Sequence, residues 1–240
     1  PPSRKGSAEG AWTTVAPSAL PFREGGPVPE ALDDAGLEQV RADFRAATKR
    51  ALAAGFRLVE IHAAHGYLLH QFCSPLSNLR TDAYGGSFDN RIRLLLEVLE
   101  AVQSEWPSDL PVLVRLSATD WTEGGWSVDD SIALSRILRA RGVDLIDCSS
   151  GGNVPRAEIP VGPLYQVPLA ERIRNEAGIA TGAVGMISTA AEAEGILQQQ
   201  QADLVLLARQ SLRDPNFPLH AARELGVDVA WPLQYELAKR

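Results

Sequence analysis

Two cysteines in 240 residues are too few for a disulfide framework. Cys73 and Cys148 both stand in apolar context, in "LLHQFCSP" and "DLIDCSSGG". Buried thiols in a reducing cytoplasm are therefore expected. No apolar run approaches the length of a membrane span, and no basic-then-apolar leader opens the chain, so no membrane partner is expected. Basic residues are not in surplus either. The formal net charge is −7, which gives no electrostatic footprint for nucleic acid and argues only for solubility. What remains is 45% hydrophobic and 22% charged residues, an ordinary globular composition on a chain long enough for one large α/β domain.

Residues 1–35 are rich in Gly, Pro, Ser and Ala and read as loop or extended chain. Val40, Phe44, Ala47 and Ala51 recur at helical spacing, which predicts a helix over about 37–54 with Gly55 at its end. From there "FRLVEIH", "PVLVRLS", "VDLIDCSS", "IATGAVG" and "ADLVLLAR" read as strands, each followed by a helical pattern. Ser127 and Gly142 bracket one such helix, and another short one is expected near Pro218–Leu225. Strands alternating with helices mean βα units on a parallel sheet.

Five strands fit an open sheet or part of a (β/α)₈ barrel. His62, Arg115, Ser149 to Gly151, Gly185 and Arg209 all fall at or just past a strand's C-terminal end. In a barrel these positions ring one mouth, which favours the TIM barrel with about its last five units present. A single domain over 1–240 is expected, with βα units over 36–225 and a tail over 226–240. Open sheet edges predict a homo-oligomer or a barrel lacking three consecutive strands.

Three readings remain open for "EIHAAHGY". A metal site would need a third ligand cluster, and none is evident. Two satisfied histidines at a strand end are an ordinary structural outcome. The third reading makes His62 and His65 donors to a carbonyl oxygen or oxyanion, with Tyr67 close enough to exchange a proton. Arg115, charged within an apolar strand, needs a carboxylate partner or an electron-rich cofactor edge. Gly182, Gly185 and Arg209 follow the last two strands, where barrels commonly bind phosphate. "SPLSNLRTDAYGGSFDNRIR" reads as a loop bracing the barrel, its Arg91 and Arg93 bridging to carboxylates.

The stretch from Glu60 to Arg93, with "VRLSATDWTEGGW", "DLIDCSSGG", "AVGMIS" and "LLARQSLRDPNFPLHAARELG", resembles the old yellow enzyme family of flavin-dependent ene-reductases. The H-x-x-H form is similar to its bacterial, thermophilic-like subgroup; other members carry asparagine in place of the second histidine. The resemblance implies a TIM barrel with FMN at its C-terminal mouth and NADPH or NADH as hydride donor. It implies an activated alkene as the small-molecule partner. His62 and His65 would hold the substrate oxygen and Tyr67 would donate the proton. Arg115 would face the flavin pyrimidine; Gly185, Met186, Ala208 and Arg209 would surround the phosphate, with Ser150 and Gly151 lining the flavin nearby. The family's first strands precede its "HAGRKAS", matched here by "PPSRKGSA" at residues 1–8. The frequent "GR" is Ala208-Arg209 here, and the subgroup's "QYxR" is "QYEL", with Leu237 in the arginine's place and Arg240 beyond it. The expected activity is NAD(P)H-driven reduction of α,β-unsaturated carbonyls or nitroalkenes. The rivals are a flavin-free, inactive scaffold fragment of such a barrel and a metal-assisted hydrolase.

Overall fold

The computed structural model describes residues 12–239. Its first elements are a short parallel pair, β1 (Val15–Ala16) and β2 (Glu30–Ala31), inside the segment expected to be loop. Helix α1 (Asp34–Ala53) begins earlier than apolar spacing predicts, because the Asp33 carboxylate accepts the Gly36 N–H at 2.8 Å and caps it. Strand β3 (Val59–Ala63) leads into a one-and-a-half-turn helix, α2 (Leu68–Cys73), and then α3 (Phe88–Gln103). Next come β4 (Val112–Ser117), α4 (Val128–Ala140), β5 (Leu145–Ser149), α5 (Val167–Ala177), β6 (Ala180–Val184), α6 (Ala190–Gln198) and β7 (Leu204–Leu206). The chain closes with α7 (Arg209–Arg213), α8 (Phe217–Glu224) and a 3₁₀ turn over Leu233–Ala238. Ser127 and Asp130 form the capping box at the start of α4, and Gly178 ends α5 at φ 66°.

Strands β3 to β7 form one parallel sheet in sequence order, β3-β4-β5-β6-β7. A doubly wound sheet reverses its strand order at a switch point; this one never does, so it is the wall of a barrel. Side chains alternate across it. Ile61 and Ala63, Val112, Val114 and Leu116, Ile146 and Cys148, and Ala183 pack into a single hydrophobic core with the helices. The intervening residues, His62, Arg115, Asp147 and Gly182, share one row on the opposite, barrel-interior face. Both cysteines are free and buried. Among the described residues no helix is long and apolar enough to cross a membrane.

The loop after α2 does brace the barrel, but through backbone carbonyls rather than the expected carboxylates. Arg91 donates to the Cys73 and Gly86 carbonyls at 2.8 and 2.6 Å, and Arg93 to the Ala83 carbonyl at 2.7 Å. The Cys73 carbonyl ends α2 without an intrahelical donor, and the Ala83 and Gly86 carbonyls belong to the loop itself; the two guanidiniums satisfy all three. Asn78 completes the brace by donating to Phe72 and Tyr84, each at 2.7 Å.

Ile146 is fully buried on the central strand. Ile146→Ala should cost about 2–5 kcal/mol of stability, read from urea midpoints. A loss below about 1 kcal/mol would mean that β5 is not the centre of the core.

Candidate active site

Three side chains converge where β3 ends. The His62 and His65 ring centroids lie 5.1 Å apart, and those of His62 and Tyr67 5.6 Å apart. The cause is local. After Ala63 the backbone enters the left-handed region at His65 (φ 60°) and Gly66 (φ 71°), folding the chain back so that residue 67 returns beside residue 62. A β-carbon at Gly66 would sit 2.1 Å from the Gly152 carbonyl oxygen. One at Gly152 (φ 97°) would sit 2.5 Å from the His65 carbonyl carbon. The loops after β3 and β5 touch backbone to backbone, and only glycine allows it. Ser117 at the end of β4 ties both: its Oγ accepts the His65 N–H and its hydroxyl donates to the Gly151 carbonyl, each at 2.8 Å.

Burial, then the charge of Arg115, then His62, pushes the His65 imidazole down to about 4. His62 is lowered as well, by burial first and Arg115 second. Both rings are therefore neutral near pH 7, each with one N–H and one bare nitrogen. His65 Nε2 lies 2.7 Å from Ser149 Oγ. Tyr67 caps the start of α2 without using its side chain and is 53% exposed.

In the same row as His62, Arg115 Nε stands 3.1 Å from Asp147 Oδ2. The contact is ionic; its angle leaves Arg115 Nε and both Asp147 oxygens without a hydrogen bond. Burial pushes the Asp147 carboxyl up despite the guanidinium. Glu60, one layer further down, keeps solvent access yet is held up to about 7, by desolvation and by Asp147.

Beside this mouth lies a cleft of about 260 Å³ lined by residues including Ser149, Gln166, Gly185, Met186, Ala208 and Arg209. Gly185 (φ 130°) approaches Gln166 so closely that a β-carbon would meet its Nε2 at 2.9 Å, and Met186 is left-handed at φ 54°. Ser188, Gln210 and Arg213 add donors, and Arg209 has no ion-pair partner among the described residues. Two guanidiniums around a glycine turn with no carboxylate in the lining suit a phosphate. Ser150 and Gly151 are not part of that lining. The Ser150 hydroxyl donates to Gln166 Oε1 at 2.5 Å, and Gly151 hydrogen-bonds back to Thr119. They lie beside the cleft, where these bonds fix the loop after β5. Among the described residues no group of three His, Cys, Asp or Glu side chains could hold a metal ion. Residues 1–8 and Arg240 lie outside the described residues.

Sequence reasoning missed Asp147, Gln166 and Arg213. The period of two that faces Arg115 inward faces Asp147 inward on the next strand, so the register carried that signal. Gln166 lies in a loop ahead of α5, and no spacing rule points to it.

A family model described as the NADH:flavin oxidoreductase / NADH oxidase family matches residues 4–227. The chain is 49% identical over 235 residues, 98% of its own length and 68% of the relative's, to an NADPH dehydrogenase of Bacillus velezensis. It is 50% identical over 224 residues to an NADPH dehydrogenase of Halalkalibacterium halodurans, covering 93% of this chain and 65% of that protein. Among solved structures, morphinone reductase in complex with tetrahydroNAD matches at 29% identity and a TM-score of 0.71, over 92% of this chain and 62% of that one. A 2-naphthoyl-CoA reductase complex matches at 25% identity and a TM-score of 0.81, over 90% of this chain and 33% of that one. The chain spans about two thirds of the length of the curated relatives it matches.

The neutral imidazoles have a measurable consequence. An NMR titration of the His65 ring should give a midpoint near 4. Because the unfolded chain takes up this proton near 6.5, folding stability should fall as pH drops from 6.5 towards 4. His65→Asn should flatten part of that fall in urea midpoints. A midpoint at or above 6.5 would place the ring in water.

Proposed function

The chain belongs to the NADH:flavin oxidoreductase / NADH oxidase family, and on that premise we propose that it reduces the C=C bond of α,β-unsaturated carbonyls or nitroalkenes. FMN and NADPH are the cofactors of this family. When bound, FMN would supply the redox chemistry, the two-electron relay between nicotinamide and alkene.

This chain's own residues bind, orient and protonate. Gly185, Met186, Ala208 and Arg209, with Arg213 and Ser188, would hold the FMN phosphate in the cleft they line. Arg115, with its Nε not hydrogen-bonded, would meet the electron-rich end of the ring. His62 and His65 give N–H bonds to the substrate oxygen and so polarise the alkene. At His65 that oxygen would take the place of the Ser149 hydroxyl, 2.7 Å from Nε2. A neutral imidazole suits this role, since it donates without binding an anion too tightly in the ground state. Tyr67 holds the proton for the α-carbon.

The observation that carries the reading is the convergence of His62, His65 and Tyr67 at a single mouth adjoining the phosphate cleft. The flavin-free scaffold remains a second reading because β3 and β7 each have only one neighbouring strand among the described residues. A visible absorption spectrum separates the two: flavin colours the protein yellow.

Two substitutions test the assignments. Arg209→Ala should weaken flavin retention by about 1.5–3 kcal/mol while the fold survives, measured by titration; unchanged affinity would remove Arg209 from the phosphate site. Tyr67→Phe should leave flavin reduction by NADPH nearly intact. It should slow reoxidation by an enone about 10²–10⁴-fold, followed as two half-reactions by rapid-mixing absorbance. Equal slowing of both halves would make Tyr67 a structural or binding residue.

A further inference from the structure

A buried polar pair lies behind the turn that carries His65 and Tyr67, and the mechanism above leaves it unused. His70 on α2 is 1% exposed, and Asp120 in the loop after β4 is 0% exposed. The Gly66 N–H donates to His70 Nδ1 at 2.9 Å. A nitrogen that accepts carries no proton, so the proton of this imidazole resides on Nε2. That atom stands 3.1 Å from Asp120 Oδ1, close enough for attraction though too oblique for a full hydrogen bond. The other carboxylate oxygen of Asp120 is fixed by the Ser74 hydroxyl at 2.5 Å and the Trp126 N–H at 2.9 Å. Burial disfavours the Asp120 charge, but the His70 ring first, then the Ser74 hydroxyl and the Trp126 N–H, outweigh it and hold the carboxyl below its usual range.

The ring is thus clamped on one side by a rigid anion and presents a bare acceptor on the other. Gly66 is held at both ends by α2, because Gln71 Nε2 donates to its carbonyl at 2.6 Å. His65 next to it has a β-carbon in the left-handed region, a conformation that persists only where its surroundings over-determine it.

We propose that His70 is a positioning residue: by accepting the Gly66 N–H while Asp120 holds its ring, it fixes the turn that brings both His65 and Tyr67 against His62. The catalytic half of this statement rests on the roles given above to His65 and Tyr67; the structural half does not.

Two variants divide the ring's functions. His70→Asn keeps an acceptor near the Nδ1 position and loses the reach to Asp120. His70→Gln keeps a donor near Nε2 and loses the acceptor for Gly66. In the full-length, FMN-loaded protein, His70→Asn should retain kcat for enone reduction within about threefold. His70→Gln should lose about 10–100-fold in kcat for enone reduction with kcat/KM for NADPH unchanged, the scale expected when reacting groups shift by a fraction of an ångström to one ångström. Equal losses in both variants, or none in either, would overturn the proposal. A measurement free of catalysis stands beside this one. Long-range ¹H–¹⁵N spectra of the unsubstituted protein should show His70 as the neutral Nε2–H tautomer. The Gly66 amide resonance should move in His70→Gln and hold in His70→Asn. A protonated His70 or the opposite tautomer overturns the proposal whether or not any alkene is reduced. If the spectra behave as expected and no variant or parent reduces an enone, the positioning stands and the ene-reductase reading falls.

Discussion

The mouth of this barrel depends on one contact, the backbone of Gly66 against the backbone of Gly152. No side chain fits between them. That approach brings the loops after β3 and β5 together, allows Ser117 to bond both, and leaves His62, His65 and Tyr67 facing one space. The site is therefore a property of inter-loop packing as much as of its residues. A β-carbon at either glycine would push the loops apart and separate side chains that remained chemically unchanged.

Electrostatics follows from the same crowding. Arg115 sits in the row of inward side chains between His62 and Asp147. Its charge, added to desolvation, keeps both histidines neutral, and its carboxylate partner lies one strand away rather than in solvent. On the proposed reading the imidazoles would be uncharged donors to a substrate oxygen, while Arg209 and Arg213 line the adjoining cleft with positive charge. Polarity is divided by position: neutral where a carbonyl would bind, cationic where a phosphate would.

Much of this was legible in the sequence. Alternating βα patterns produced the five strands in their true order, because buried parallel strands and amphipathic helices leave strong periodic traces. The residues at strand ends did gather at one mouth. The short elements left no trace: β1 and β2 have two residues each, and α2 and α7 are too brief for a helical period to emerge. Charge alone points Arg91 and Arg93 to carboxylates, yet they bond carbonyls at the end of α2 and in the loop after it, since free backbone acceptors are invisible to charge counting. Gln166 illustrates the same limit. Its amide joins Ser150 to the Val184 carbonyl, a tertiary link with no local signature.

The left-handed backbone at His65 restricts the chemistry that evolution can sample there. Most residues with a β-carbon are strained at φ near 60°, but asparagine, aspartate and histidine tolerate it better than the rest. Of these, aspartate would present a negative charge to an incoming oxygen. The backbone therefore narrows the vocabulary at this position to two neutral hydrogen-bond donors, histidine and asparagine. Exchange between them leaves the turn undisturbed and changes only the reach and shape of the donor. The two side chains are synonyms to the fold and would be distinct words to a substrate.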